Sequence, residues 1–297
     1  PQAKFNYVNG GIGGTDSYYG VSRAVTDVLM YQPDFVVVDF SVNDVDNIYC
    51  EETFEGVLRK LLCWSSRPAV VVLNNVFYDT GVSTQDIHNR LADHYGVPHV
   101  SVHDTIYRRM KAGDYNRIDI TPDGLHPNDK GHGLVAGEIT KFLERIMDDL
   151  IQDENLTDDS NTDAADAGAD IENDIQDESA CSCVLPAPVC PKLSGFRADT
   201  HEKMGHLDHF KNGWIGENAG DSITFELEGN CIGIQYRKTI SRPAVRAQAV
   251  LDGDVEHPVL LDGNFDEDWG DCLYIEPVLH HDEKKKHTHS SSRTVIL

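Results

Sequence analysis

The sequence lacks any apolar run close to the roughly 20 residues that a bilayer-spanning helix needs, so no transmembrane helix is expected. Basic residues are scarce: 25 Lys+Arg stand against 50 Asp+Glu, a formal net charge of -25. Such a field repels phosphate backbones and anionic lipid, which argues against nucleic acid and membrane surfaces as partners. Cysteine is sparse as well, seven in 297 residues, an odd and scattered set that cannot form a disulfide scaffold. Cys181-x-Cys183 and Cys190 do not have the spacing of a two-by-two zinc knuckle and read as unpaired thiols. Cys50 and Cys63 read as small core or helix residues. Pro1 to Lys4 offers neither a charged nor an apolar leader-like segment, which says nothing about export. The chain therefore reads as processed or as a fragment, and cytoplasmic and secreted locations both stay open.

What is present is ordinary globular material, 40% hydrophobic and 25% charged. From residue 1 to about 147, short apolar runs alternate with amphipathic stretches. Phe5 to Val8 reads as a strand leading into the glycine cluster Asn9-Gly10-Gly11-Ile12-Gly13-Gly14. Thr15 or Asp16 can cap a helix reaching about Leu29. Phe35 to Phe40 is a continuous β-branched and aromatic run, the pattern of a strand buried on both faces. A helix near Thr53 to Cys63 follows, then a buried strand at Ala69 to Leu73 and a helix from about Thr84 to Tyr95. A strand at His99 to Val102, a short helix at Ile106 to Met110 and a last one from about Gly131 to Met147 complete the set. Such alternation indicates βαβ units around a parallel sheet.

Between Asp148 and Glu178 there are 13 acids and no Lys or Arg. With little aliphatic surface to bury, residues 148–192 read as an acidic, solvated linker. Beyond it, Ile223-Thr224-Phe225-Glu226-Leu227-Glu228 alternates at period two, and Gly229-Asn230 turns the chain into Ile232 to Tyr236. Ala244 to Leu251, Leu273 to Val278 and Arg293 to Leu297 look like further strands. Residues 193–297 are therefore expected to form a small antiparallel β-sandwich of jelly-roll type.

Three segments carry candidate chemistry. In Asp123-Gly124-Leu125-His126-Pro127-Asn128, an acid three residues before a histidine can fold back within one turn and accept the imidazole Nδ1 proton. That fixes the tautomer and leaves Nε2 as a base; an Asp-Gly turn before a helix is the alternative. In Asp39-Phe40-Ser41-Val42-Asn43-Asp44, Asn43 sits just past a strand, where open α/β sheets bind ligands, and can offer its carboxamide to a substrate oxygen; a plain Asn-Asp turn is the alternative. The glycines from Gly10 to Gly14 fit neither G-x-G-x-x-G, which would need glycine at Asp16, nor a P-loop. They can instead present a backbone N–H at a strand-to-helix turn, as an oxyanion hole requires.

Their order and placement resemble the SGNH (GDSL-type) hydrolase family. Asn9-x-Gly11-x-x-Gly14 is similar to its second block, Val42-Asn43-Asp44 to its third, and Asp123-x-x-His126-Pro127 to its last. The resemblance covers residues 1–147 and implies a flavodoxin-like three-layer α/β/α fold. It implies Gly14 N–H and the Asn43 side chain as oxyanion donors, His126 as general base and Asp123 as its orienting acid, with no metal and no organic cofactor. Ser41 stands where the third block usually has glycine. The nucleophilic Gly-Asp-Ser block comes first in this family, and no such block precedes Gly14 here. The expectation is thus a fragment whose first strand and serine are absent, leaving Phe5 to Val8 and Phe35 to Phe40 flanking a gap.

Gly220-Asp221-Ser222 spells the missing block, but it lies more than 90 residues after His126, has no apolar strand before it, and leads into an alternating strand rather than a helix. Ser222 is expected to open a sandwich strand. His280-His281 and His287-x-His289, around Asp282 to Lys286, read as a charged hairpin loop rather than a metal site. Trp64 and Trp214 read as packing groups, although Trp214 could also serve as a sugar platform. The implied activity is a serine esterase acting on an acylated small molecule or polysaccharide, with O-acetyl groups on carbohydrate as the substrate suggested by the two-part layout. The rival is a non-catalytic carbohydrate-binding protein on a degenerate hydrolase scaffold.

Overall fold

The computed structural model describes residues 4–156, 190–199, 213–228, 231–268, 270–279 and 292–297. They divide into two compact units, 16–156 and 4–15 together with the described part of 190–297.

The first unit is built on a three-stranded parallel sheet, β1 (Phe35–Val38), β2 (Ala69–Asn74) and β3 (His99–Ser101), with β2 in the centre. Val38 pairs with Val72 and Leu73 with Val100. Strands alternate with α1 (Ser17–Asp27), α2 (Ile48–Leu62) and α3 (Gln85–His94), then α4 (Arg108–Ala112), α5 (Arg117–Ile120) and α6 (Asp129–Leu156). Two apolar clusters separate the layers. On one face Ala24, Leu29, Phe54 and Leu58 close over Val38, Val70 and Val72. On the other, Ile106, Ile120 and Val135 close over Val71, Leu73 and Val100. Asp16 caps α1, accepting from Tyr19 N–H at 2.9 Å, and Asn47 caps α2 by accepting from Cys50 N–H.

The continuous valines of β2 are buried as expected, but β1 corrects the reading of Phe35 to Phe40 as doubly buried. Only Val38 of β1 is fully buried, while Phe35 and Val37 are 43% and 41% exposed. Among the described residues β1 pairs on one side only, so the face carrying Phe35 and Val37 ends at an open edge. Phe5 to Val8 is a second correction: it forms no strand, and Phe5 and Tyr7 are exposed. An apolar run becomes a strand only where a neighbour offers a ladder, and among the described residues none pairs with it. Val37→Lys in residues 1–297 is expected to reduce concentration-dependent light scattering and apolar dye binding. Its thermal stability should stay within about 0.5 kcal/mol of the parent.

Helix limits also shift. α2 starts five residues before Thr53, at the Asn47 cap, and α6 runs nine residues past Met147. That extension contains Leu150, a good helix former, and neither proline nor glycine to break the helix. His103–Tyr107 is a wide helical turn continuing into α4, longer than the expected piece at Ile106 to Met110. Cys63, the C-cap of α2, is disulfide-bonded, whereas Cys50 is free and buried. Within the described residues no helix is long and apolar enough to cross a membrane.

The second unit is antiparallel. β4 (Lys192–Ser194), β7 (Ser222–Glu228), β9 (Arg246–Leu251), β10 (Val259–Asp262) and β12 (Ser292–Ile296) form one sheet in the order β10-β9-β12-β7-β4. β8 (Ile232–Lys238) pairs with β11 (Cys272–Leu279), and β5 (Arg197–Ala198) with β6 (Trp214–Ile215). Ile232, Ile234 and Val278 from the β8–β11 pair meet Ala249, Leu261 and Val295 from the five-stranded sheet in one core. Ser222 is the first residue of β7, paired with Ser194, and Asp221 accepts the Glu217 and Asn218 N–H groups in the preceding turn. Gly220-Asp221-Ser222 is therefore turn and strand, as its periodicity indicated. Trp64 is buried packing, and Trp214, 41% exposed, meets Phe225 edge-on. His280 to His289 and residues 157–189, with most of the acidic stretch and the Cys181-x-Cys183 pair, lie outside the described residues.

Candidate active site

The loop leaving β1 is pinned on both sides of Asn43. Asn43 N–H and Asp44 N–H both donate to the Phe40 carbonyl, at 3.0 and 2.9 Å, closing a tight turn. Ser41 is buried, and its hydroxyl donates to the Asn75 carbonyl at the end of β2 (3.1 Å) and to Asp39 (3.3 Å). Its own carbonyl accepts from Thr84 N–H and Thr84 Oγ1 at the start of α3. The serine that replaces the usual glycine thus acts as a clamp between β1 and β2 and leaves the turn intact. Asn43 is exposed, and its carboxamide makes no hydrogen bond among the described residues.

The second element is the turn between α5 and α6. Asp123 Oδ1 accepts the backbone N–H groups of Leu125 (2.9 Å) and His126 (2.8 Å), and Thr121 Oγ1 lies 3.3 Å from it. Asp123 Oδ2 accepts from His126 Nδ1 at 2.7 Å. The donating His126 ring N–H, then the two backbone N–H groups, hold the Asp123 carboxyl well below the usual carboxylate range. It is ionised throughout the neutral range, so Nδ1 carries the ring proton and Nε2 is an open acceptor. The His126 side chain is 76% exposed.

Gly124 explains why this turn keeps its shape. Its φ of +86° suits glycine, and a Cβ there would run into the Asp79 carboxylate. Its carbonyl accepts from Tyr78 N–H at 2.7 Å, just beyond β2. The Asn43 turn is bonded to Asn75 and the His126 turn to Tyr78, so both attach to the four residues that follow β2. Both therefore stand at the carboxyl rim of the sheet, where α/β folds hold their ligands. Gly14, at φ +68°, lies in the irregular segment 4–15, which groups with the C-terminal unit. Reading the sequence missed one feature beneath the rim: Asp44, Cys50 and His88, all buried, meet there. No local motif announces it, because its members are 6 and 38 residues apart.

Fold and rim together define an acyl hydrolase of the α/β/α kind, and the comparisons agree. The sequence model of the GDSL-like lipase/acylhydrolase family matches residues 2–134. The crystal structure of a two-domain esterase active on acetylated mannans, co-crystallized with mannopentaose, is 39% identical. That alignment covers 98% of this chain and 74% of that one, with a TM-score of 0.78. A second crystal structure of a two-domain esterase active on acetylated mannans is 38% identical, with the same coverage and a TM-score of 0.77. None of the curated proteins matches. The chain belongs to the GDSL-like lipase/acylhydrolase family and is a carboxylic ester hydrolase.

Proposed function

We propose that this protein removes O-acetyl groups from a mannan-type polysaccharide by a two-step serine acyl transfer. The observation that carries the mechanism is the 2.7 Å Asp123–His126 hydrogen bond with Nε2 left open at the sheet rim. The substrate rests on likeness to the two-domain mannan esterases over 98% of the chain. The nucleophile in this reading is a serine outside residues 1–297, belonging to the family's first block.

That serine's oxygen attacks the acetyl carbonyl while His126 Nε2 takes its proton. The imidazolium so formed is stabilised by ionised Asp123, and the Asn43 carboxamide N–H donates to the tetrahedral oxyanion. Collapse breaks the bond to the sugar oxygen, which leaves with the proton from Nε2. Water then attacks the acyl-enzyme by the same route, releasing acetate and regenerating the serine.

Full-length protein is expected to release acetate from acetylated mannan and none from the same polymer after alkaline deacetylation. Absence of acetate from the acetylated polymer would overturn the substrate reading. Asn43→Ala should lower kcat by about 10²- to 10³-fold, the size of one lost oxyanion donor, with KM little changed. An unaltered kcat would remove Asn43 from the mechanism.

A further inference from the structure

The buried group beneath Asn43 has more polarity than packing requires. Asp44 Oδ1 accepts Ser17 N–H, the first turn of α1, at 2.7 Å. Asp44 Oδ2 accepts from His88 Nε2 of α3 at 2.8 Å and from the Cys50 Sγ–H of α2 at 3.5 Å. One carboxylate thus ties three helices to the residue that follows Asn43. Side-chain exposure is 0% for His88 and 1% for Asp44.

His88 lies flat against Phe54, ring centroids 3.7 Å apart and 8° from parallel, in a slot that a phenylalanine would fill. Its Nδ1 is buried without a hydrogen-bond partner. Burying an unpaired polar atom is unfavourable, and apolar replacement of a buried polar group is often neutral or better. An imidazole in that slot is therefore explained by its one engaged atom, Nε2. The same trio could be read as metal donors. Against this, Nε2 and Oδ2 stand at hydrogen-bond distance, all three donor hydrogens are placed on the carboxylate, and Nδ1 lacks the partner that metal-bound histidines normally have.

We propose that His88 is a positioning residue for the oxyanion donor. It fixes Asp44, and through Asp44 the turn that aims the Asn43 carboxamide, without touching substrate. The inference rests on the proposed role of Asn43 and deepens it. Ser41 holds one end of the turn from β2, and His88 holds the other from α3. An exposed side chain between two buried anchors is preorganised, which is what oxyanion stabilisation needs.

The test uses full-length protein on acetylated mannan, with His88→Phe, His88→Asn and His88→Gln. Phe keeps the shape and loses the N–H; the Asn amide reaches the Nδ1 position and the Gln amide reaches that of Nε2. His88→Phe and His88→Asn are expected to lower kcat by about 10- to 100-fold, part of the loss of a whole oxyanion donor, with KM within about twofold. His88→Gln should recover most of it, and folding is checked by unchanged far-UV and near-UV circular dichroism. In an Asn43→Ala background, His88→Phe should add nothing, because the group it positions is gone. Equal kcat for all three variants, or a full further loss in the Asn43→Ala background, would overturn the proposal. So would about one zinc per chain that disappears with Cys50→Ser. If Asn43→Ala alone leaves kcat unchanged, the reading of Asn43 itself fails, an outcome separate from additivity.

Discussion

His126→Ala in the full-length protein is expected to lower kcat on acetylated mannan by about 10⁴- to 10⁶-fold while substrate binding persists. The reasoning is geometric. Within the Asp123–His126 turn, Nε2 is the one titratable acceptor that is left unbonded, on a side chain 76% exposed. In the proposed mechanism, removing it leaves the serine hydroxyl with water as its proton acceptor and the departing oxygen without a proton donor. The residual rate would come from oxyanion stabilisation and binding. In the proposed mechanism His126 moves a proton rather than holding substrate, so KM should move by less than about threefold. Steady-state acetate release with enzyme at micromolar concentration measures both quantities. Turnover within tenfold of the parent would remove His126 as the base.

Asp123→Asn should be the next most damaging change, lowering kcat by about 10³- to 10⁴-fold with the fold intact. An asparagine oxygen could still accept the Leu125 and His126 N–H groups, so the turn would survive. Its amide, however, would present N–H to Nδ1, favouring the tautomer with the proton on Nε2 and blocking the base. Asp123→Ala should be less selective, because it also frees those two backbone N–H groups. The pH dependence follows from the lowered Asp123 pKa. A carboxyl whose folded pKa is depressed contributes stability fully above its ordinary value near 4, and that contribution is lost as pH falls through the depressed value. Activity from pH 5 to 9 is therefore expected to contain no step from Asp123. An additional inflection between pH 3 and 5 that disappears in Asp123→Asn would contradict this.

Much of this was legible in the residue pattern, for reasons that differ from element to element. Asp16 announced α1 because a cap is a local device, and Ala69 to Leu73 announced β2 because five apolar residues in a row suit a central strand. The Asp123–His126 pair was legible because its partners are three residues apart. The same logic failed at Phe35 to Val38, where an equally apolar run lies at an edge: burial depends on neighbours, not on composition. It failed again at Phe5 to Val8, which pairs with no strand among the described residues. Ser41 looked like a departure near the oxyanion turn, yet its hydroxyl has a defined place between Asp39 and Asn75. His88 gave no signal at all, since its partner Asp44 lies 44 residues earlier on another loop.

The close approach of α6 to the chain before it has a further consequence. Asn128 N–H donates to the Ile120 carbonyl at 3.0 Å, and Asn128 Oδ1 accepts Gly131 N–H. A Cβ on Gly131 would strike that same Ile120 carbonyl. Residues 120–131 accordingly behave as a closed cassette, whose two ends are stitched together around the imidazole. A single inserted residue inside the cassette is therefore expected to turn the His126 ring away from its present direction, and with it the proton acceptor of the proposed mechanism.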